Sequence, residues 1–267
     1  MELEGKVVLV TGGSRGLGRV MALGLASAGA KVAIAARPGS EQRLAQVRDA
    51  AAAANARSET AAFVGDITDP VFCADLVEKT CERFGMLHVL INNAAVGMNT
   101  LGPHVSRVVP FYDVPLDLWH RIVDININGT FHMARAAIPV LLKQGWGRIV
   151  NLSTGMRTMV KVGFSPYGPS KAAVEAMTAI WAQDLAGTGV TVNALLPGWV
   201  SDTDMILRED FPDRARLVPP ESMIAPAVWL ASEASDGVTG MRIIARDWDA
   251  SLAPEDAFKA ASAKAGW

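Results

Sequence analysis

The stretch from Lys6 to Gly29 constrains the fold of this chain more than any other. It opens with four apolar residues, Val7 to Val10, a run of the length expected for a strand buried on both faces. A turn with four glycines follows from Thr11 to Gly18, and apolar residues at helical spacing then lead to Gly29, which suits a left-handed C-cap. This order presents backbone N–H groups at a helix N-terminus to a phosphate. The sequence therefore predicts a nucleotide site here, with an ordinary tight turn as the alternative.

Length, composition and charge limit the classes of protein to consider. A chain of 267 residues can form one large α/β domain. Its 50% hydrophobic residues and mean hydropathy of +0.23 favour extra buried surface in an oligomer. A net charge of −2 argues against a nucleic-acid partner or a membrane surface. No apolar run approaches the roughly 18 residues of a transmembrane helix.

Targeting, disulfide and metal signals are lacking in the sequence. Residues 1–4 are acidic and lead directly into the first strand, so we expect no signal peptide and a cytoplasmic protein. Cys73 and Cys81, if they share one helix, are about 12 Å apart, which is beyond disulfide reach. They are predicted to be packed free thiols in a reducing compartment. The four histidines show no ligand spacing with each other or with the cysteines, so no metal site is predicted.

Strand and helix patterns alternate along the whole chain, which predicts a parallel sheet with right-handed crossovers in a single domain over 1–267. After the first unit, the predicted strands are 31–36, 60–65, 87–92, 148–153, 190–196 and 241–245. The predicted helices are 41–56, 70–84, 116–143, 166–186 and 223–232. Ser165 is predicted to cap the fourth of these helices, with Pro166 in its first position.

Three segments lack this regular pattern. The loop 96–115 contains three prolines and two glycines and is long for a compact domain, which favours a functional role. The segment 199–221 carries charges and three prolines and is expected to be mobile, with at most short helices. Both are predicted to shape a substrate site. The Ala-rich tail, 247–267, has a possible helix after Pro254 and two tryptophans, Trp248 and Trp267, that are expected to pack on the body or on a neighbouring subunit.

Tyr167 and Lys171 place a phenol and an ammonium group one helical turn apart on one face of a predicted helix. A free tyrosine has a pKa of about 10, too high for proton transfer at neutral pH, and a nearby cation lowers that pKa. The pair alone also fits an ordinary solvated helix face. Ser153 and Thr154 strengthen the functional interpretation, because they end a predicted strand at the edge of a parallel sheet where ligands bind.

In its full set of motifs the chain resembles the single-domain short-chain dehydrogenase/reductase family, in the branch of the 3-oxoacyl-carrier-protein reductases. The motifs, in chain order, are the glycine turn Thr11 to Gly18, Asp66, Asn92-Asn93-Ala94-Ala95, Asn126, Ser153-Thr154, Tyr167-x-x-x-Lys171 and Pro197-Gly198. Together they are specific and span nearly the whole chain. The resemblance implies a doubly wound Rossmann fold, with a single seven-stranded parallel sheet and helices on both faces.

The resemblance also implies a catalytic tetrad. Tyr167 would be the general acid in reduction and the base in oxidation, and Lys171 would lower its pKa and hold the nicotinamide ribose. Asn126 would support a water that relays protons to Lys171. The carbonyl-polarising hydroxyl falls on Thr154, 13 residues before the tyrosine, where the family usually has serine, and Ser153 remains the alternative. Ala95 stands where the family usually has glycine.

The preferred cofactor is predicted to be NADP(H). An NAD enzyme would place an acid at the end of the second strand, whereas this chain has Ala36 there, followed by Arg37. With Arg15 in the glycine turn, two guanidinium groups suit a 2′-phosphate, and Asp66 would bind the adenine amino group. Other implied cofactor contacts, beside Tyr167 and Lys171, are Gly12, Ser14, Gly16, Leu17, Gly18, Ile67, Asn93, Ala94, Pro197, Gly198 and Val200.

The predicted function is an NADP(H)-dependent oxidoreductase that acts on a small-molecule carbonyl or secondary alcohol. A non-catalytic nucleotide-sensing protein on the same fold and an NAD-preferring alcohol dehydrogenase are the alternatives. Epimerases and dehydratases of the extended branch differ in glycine spacing and need a longer chain. Family habit implies a homotetramer, with a homodimer as the alternative, and the sequence does not specify the substrate.

Overall fold

A computed structural model of the chain describes residues 2–55, 58–98, 108–206 and 211–266. The strands are β1 (Val7–Thr11), β2 (Lys31–Ala36), β3 (Thr60–Val64), β4 (Val89–Asn92), β5 (Gly147–Leu152), β6 (Val190–Leu196), β7 (Met241–Ile244) and β8 (Ser262–Lys264). The helices are α1 (Gly16–Ser27), α2 (Glu41–Ala54), α3 (Pro70–Phe84), α4 (Leu116–Val123), α5 (Thr130–Gln144), α6 (Met156–Met159), α7 (Tyr167–Asp184), α8 (Ile224–Ala231) and α9 (Pro254–Ala261).

The strands form one sheet in the order β3-β2-β1-β4-β5-β6-β7-β8. The first seven pair in parallel, as predicted, and the central strand β1 sets Val10 opposite Ile34 on one side and Ile91 on the other. The chain runs outward from β1 to β3, returns to β4 and then runs outward in the opposite direction. This reversal leaves a crevice at the carboxyl ends of β1 and β4.

The sheet is buried on both faces, which explains why its strands are almost continuously apolar. Val8 and Val10 point into a core formed with α1, α2 and α8. Val7 and Leu9 point into a second core formed with α3, α5 and α7. This two-sided core confirms the doubly wound Rossmann architecture.

The predicted helix 116–143 contains a wider turn that the sequence pattern did not indicate. It consists of α4, a π-helical segment (Asp124–Gly129) and α5. The side chain of Asn126, within the wide turn, bonds the backbone of Val96 instead of facing solvent. The widened turn therefore lies where the helix contacts Val96, a residue 30 positions earlier in the chain.

The start of α7 differs from the prediction. Pro166, rather than Ser165, is the cap residue, and Tyr167 is the first helical residue. The Pro166 carbonyl accepts a hydrogen bond from the Ser170 N–H at 3.0 Å. The first turn thus closes one residue later than capping by Ser165 would require.

The two predicted loops are described in part. Residues 99–107 of the first and 207–210 of the second lie outside the described residues. The remainder of the segment 199–221 has only short 3-10 turns, as predicted, with a bridge from Ser201 to Val218 and an ion pair between Arg214 and Asp202. None of the described helices combines the length and the apolar character needed to cross a membrane.

The tail packs on the body of the protein, as expected, although Trp267 lies outside the described residues. The predicted helix after Pro254 is α9, and its Phe258 ring stacks on Trp229 at a centroid distance of 4.9 Å. Trp248 contacts the same indole at 5.5 Å. The strand β8, antiparallel to β7, is an addition to the seven predicted strands. Its three residues include no β-branched or aromatic side chain that would indicate a strand.

Replacing Phe258 by alanine is expected to lower the free energy of unfolding by about 2 kcal/mol, because the ring that stacks on Trp229 is lost. Denaturant unfolding followed by tryptophan fluorescence measures the change. Phe111→Ala is the matched control, since that ring is 76% exposed, and it should alter stability by less than about 0.5 kcal/mol. Equal losses in the two variants would contradict this account of tail docking.

Candidate active site

A cleft of about 1570 Å³ lies at the carboxyl ends of the parallel strands. The turns after β1, β4, β5 and β6 all line it, as expected where the strand order reverses. Every residue predicted for catalysis or cofactor binding lines this cleft except Asn126. These residues are Gly12, Ser14, Arg15, Gly16, Leu17, Gly18, Arg37, Asp66, Ile67, Asn93, Ala94, Ser153, Thr154, Tyr167, Lys171, Pro197, Gly198 and Val200.

The glycine turn forms a close-packed cradle at the N-terminus of α1. A Cβ atom on Gly18 would lie 2.3 Å from the Gly12 carbonyl oxygen, so only glycine allows this approach. Arg15 is the N-cap residue of α1, and its side chain makes no capping hydrogen bond. The N–H groups of the first turn are thereby left for a ligand. The turn fits the pyrophosphate of a dinucleotide.

Hydrogen bonds between Thr11 and Asn93 join the ends of β1 and β4 across the reversal. The Asn93 amide donates to the Thr11 carbonyl at 2.8 Å and to the Gly12 carbonyl at 3.2 Å. The Thr11 hydroxyl accepts from the backbone N–H groups of Asn93 and Ala94, both at 3.1 Å. The glycine turn and the Asn-Asn-Ala-Ala segment are therefore fixed relative to each other.

Three arginines line the end of the cleft beyond the glycine turn. Arg15 and Arg37 lie there as predicted, and Arg43 on α2 joins them. Among the described residues none of the three has a carboxylate partner. Arg43 could not be found from the sequence, because it belongs to no motif and only the packing of α2 brings it to the cleft. The Asp66 carboxylate accepts a hydrogen bond from the Thr68 N–H at 2.9 Å.

Tyr167 is half-buried in the cleft, with the Thr154 side chain beside its phenol. Burial raises the pKa of Tyr167 to about 12, and the interaction with Thr154 acts in the opposite direction. The Ser153 hydroxyl is enclosed and has no hydrogen-bond partner among the described residues. Successive side chains of an extended chain point to opposite faces, so the geometry favours Thr154 over Ser153 as the hydroxyl that works with Tyr167.

Lys171 is buried one helical turn from Tyr167, and its Nζ donates to the Leu152 carbonyl at 2.7 Å. Burial lowers the pKa of Lys171 to about 8. The sequence predicts that Lys171 lowers the pKa of Tyr167, and this effect stays a prediction. Burial of the phenol dominates, and the ammonium group is directed to the end of β5.

Asn126 lies behind the cleft and is fully buried. Its amide oxygen accepts from the Val96 N–H at 2.9 Å, and its amide nitrogen donates to the Val96 carbonyl and to the Ser170 hydroxyl, each at 3.0 Å. Ser170 in turn donates to the Tyr167 carbonyl at 2.7 Å. Asn126 therefore joins the start of the 96–115 loop to the first turn of α7. Sequence reasoning missed Ser170, although it lies directly before Lys171.

The substrate end of the cleft is apolar and cationic. Its apolar lining residues include Met98, Met156, Phe164, Trp199 and Met205. The cations Arg157, Lys161 and Arg242 also line the cleft and were not predicted. Arg242 could have been noticed, because it is a charged residue within an otherwise apolar strand. Within the described ranges, no three His, Cys, Asp or Glu side chains are grouped as metal ligands would be.

Comparison with known proteins gives consistent matches over most of the chain. A family model described as short chain dehydrogenase matches residues 6–211. The 3-oxoacyl-acyl-carrier-protein reductase FabG of Thermotoga maritima is 32% identical over 254 residues, which cover 91% of this chain and 97% of that protein. The chloroplastic NADPH-dependent aldehyde reductase 2 of Arabidopsis thaliana is 33% identical over 262 residues, with coverage of 91% and 93%.

Solved structures share the fold as well. A crystal structure from Shigella flexneri, complexed with NADP, has 28% sequence identity and a TM-score of 0.80, and the match covers 92% of this chain and 98% of that one. The family model spans most of the sequence, and the curated relatives exceed 30% identity over nearly all of it. This chain is therefore a member of the short-chain dehydrogenase/reductase family of nicotinamide-dependent oxidoreductases.

Proposed function

We propose that the protein is an NADP(H)-dependent oxidoreductase that interconverts a small-molecule ketone or aldehyde and the corresponding alcohol, with Tyr167 as acid and base. One observation carries this proposal: the Thr154 side chain interacts with the Tyr167 phenol inside the cleft, and Tyr167 lies one helical turn from buried Lys171. A non-catalytic nucleotide sensor would not need this arrangement of proton donors. The reaction class also agrees with the chemistry of the family.

In the reductive direction, the Thr154 hydroxyl donates a hydrogen bond to the substrate carbonyl oxygen, and Tyr167 gives it a proton. The bound cofactor supplies the hydride. Because burial keeps the phenol protonated at neutral pH, Tyr167 is ready to act as an acid. Lys171 provides a positive charge that compensates the phenolate left behind. Asn126 keeps the first turn of α7 in place through Ser170.

NADP(H) is preferred because two guanidinium groups, on Arg15 and Arg37, line the adenosine end of the cleft and have no carboxylate partner in the described part of the chain. Ala36 offers no carboxylate to a free ribose hydroxyl. Arg43 adds a third positive charge at the same end. The Arabidopsis relative is named as NADPH-dependent, and the Shigella structure contains NADP. Gly12 to Gly18 would hold the pyrophosphate, and Asp66 the adenine.

The segments 96–115 and 199–221 are proposed to shape the substrate pocket of one domain, since their described parts reach the cleft at Met98, Trp199 and Met205. A homotetramer or homodimer stays a prediction. Large exposed apolar side chains on α4 and α5, namely Leu116, Trp119 and Phe131, support it. A cytoplasmic location also stays a prediction.

Tyr167→Phe is expected to abolish turnover of activated ketones while NADPH binding stays nearly unchanged, because it removes a proton donor and no phosphate contact. Initial rates with an α-keto ester and fluorescence titration of NADPH measure the two properties. Tyr112→Phe is the matched control, since Tyr112 is the other tyrosine and is 72% exposed. A rate for Tyr167→Phe within about tenfold of the unchanged protein would contradict the acid–base role.

Thr154→Val is expected to lower kcat much more than Ser153→Ala, because one donor to a developing oxyanion contributes roughly 3–4 kcal/mol. Valine keeps the shape of threonine and removes only the hydroxyl. Steady-state kinetics of both variants on the same ketone make the comparison. A larger loss in Ser153→Ala would assign the polarising role to the other hydroxyl.

The cofactor prediction concerns kcat/KM for NADPH and NADH on one substrate. Each charge-assisted contact to a 2′-phosphate contributes about 1.5–3 kcal/mol, so NADPH should be preferred by at least about tenfold. Ala36→Asp combined with Arg37→Ser should reverse the order, because the carboxylate repels the phosphate and accepts the ribose hydroxyls.

Arg48→Ala is the control for this swap, since Arg48, on α2, pairs with Asp49 and does not line the cleft. It should leave the cofactor ratio unchanged. Equal kcat/KM values for the two cofactors in the unchanged protein, or a preference for NADH, would refute the assignment.

A further inference from the structure

Arg242 on β7, the strand next to the edge of the sheet, reaches the backbone of Thr154. Its side chain is largely enclosed and lines the cleft on the same strand face as Ile244. Its Nη2 donates to the Thr154 carbonyl oxygen at 3.4 Å. The sheet ladder does not extend to this carbonyl, because the last strand-to-strand bond here is from the Ser153 N–H to the Leu195 carbonyl, at 3.0 Å. Arg242 thus supports the polypeptide where β5 has already ended.

Glu175 orients the guanidinium group. It lies on α7 one helical turn after Lys171, its side chain is only 1% exposed, and its Oε1 accepts from Arg242 Nε at 3.3 Å. Adjacent nitrogens on one edge of the guanidinium group therefore bond two different acceptors, the Glu175 carboxylate and the Thr154 carbonyl. Lysine offers a single point charge and cannot reproduce this fork.

The C-terminal strand completes the arrangement. The Gly266 N–H donates to the second oxygen of Glu175, Oε2, at 3.4 Å. β8 pairs with β7 so that Ala263 lies opposite Arg242, and the Ala265 N–H bonds the Gly240 carbonyl at 2.9 Å. A continuous set of contacts therefore runs from the tail through Glu175 and Arg242 to Thr154.

We propose that Arg242 is a positioning residue for the reaction: held by Glu175 and the tail strand, it fixes the Thr154 backbone so that the Thr154 hydroxyl faces Tyr167. This inference rests on the proposed role of Thr154. A donor displaced by about 1 Å costs up to about 100-fold in rate. Loss of the contact should accordingly reduce kcat and leave cofactor binding unchanged.

The test compares Arg242→Met and Arg242→Lys with the matched control Arg148→Met. Arg148 is also a buried arginine with a carboxylate partner, Asp236, but it lies at the opposite end of β5, away from the cleft. Two properties are measured: kcat and KM with NADPH and an α-keto ester, and deuterium exchange of the peptide 153–159 by mass spectrometry.

Arg242→Met is expected to lower kcat by about tenfold or more, to leave the KM for NADPH within about twofold, and to speed exchange in 153–159. Arg242→Lys, which keeps the charge but not the fork, should also lose kcat and speed exchange in the same peptide. Arg148→Met should lower stability without either effect. If Arg242→Met is too unstable to study, Arg242→Lys is compared with Arg148→Met in its place.

Unchanged kcat and unchanged exchange in 153–159 for the Arg242 variants would overturn the inference, as would equal effects in Arg148→Met. Failure of the proposed function has a different signature. In that case the unchanged protein reduces no ketone with NADPH, while the exchange measurement still reports whether Arg242 holds the Thr154 segment.

Discussion

The hydrogen bonds between Thr11 and Asn93 are the constraint on which the rest of the site depends. In a doubly wound sheet, the connections that follow the two strands at the reversal lead to opposite sides of the sheet and leave a crevice for a ligand. Here those two strands are β1 and β4. The Asn93 amide spans this gap and bonds the Thr11 and Gly12 carbonyls. A side chain on Gly12 or Gly18 would collide with Asn93 Nδ2 or its neighbours within 3 Å. The glycines are therefore required by this packing as well as by a phosphate.

Below the Tyr167 end of the cleft, a ladder of buried polar side chains, Asn92, Asn151 and Thr178, also joins neighbouring elements through hydrogen bonds. Asn92 donates to Asn151 on the next strand at 3.0 Å, and Asn151 donates to Thr178 on α7 at the same distance. All three side chains are buried, so each missing bond would carry the full cost of desolvation. The ladder fixes α7 relative to β4 and β5, and α7 carries both Tyr167 and Lys171. The relative positions of the two groups and of Thr154 thus follow from contacts made below the cleft.

Local signals explain which parts of this structure could be predicted from the sequence. α3 begins and ends where predicted because Asp69 caps it, Pro70 is its first residue and Gly85 adopts the left-handed conformation that ends it. All three residues act on their immediate neighbours. The residues of the glycine turn and the Tyr-Lys pair were found for the same reason. Contacts over long sequence separations gave no such signal: Asn126 meets Val96 30 residues away, and Arg242 meets Thr154 88 residues away. The wide turn at Asn126 and the positioning contact at Thr154 emerge only from the fold.

Burial decides the ionisation of the site more strongly than the neighbouring charge that sequence reasoning invoked. The same desolvation raises the pKa of Tyr167 to about 12 and lowers the pKa of Lys171 to about 8, because in each case it disfavours the charged form. At neutral pH the phenol therefore carries its proton, and the lysine is charged but within about one pH unit of losing its own. This state suits the proposed role of Tyr167 as an acid toward a carbonyl oxygen. In the proposed oxidative direction the phenol would first lose its proton, and the nearby positive charge of Lys171 would favour that loss against the effect of burial.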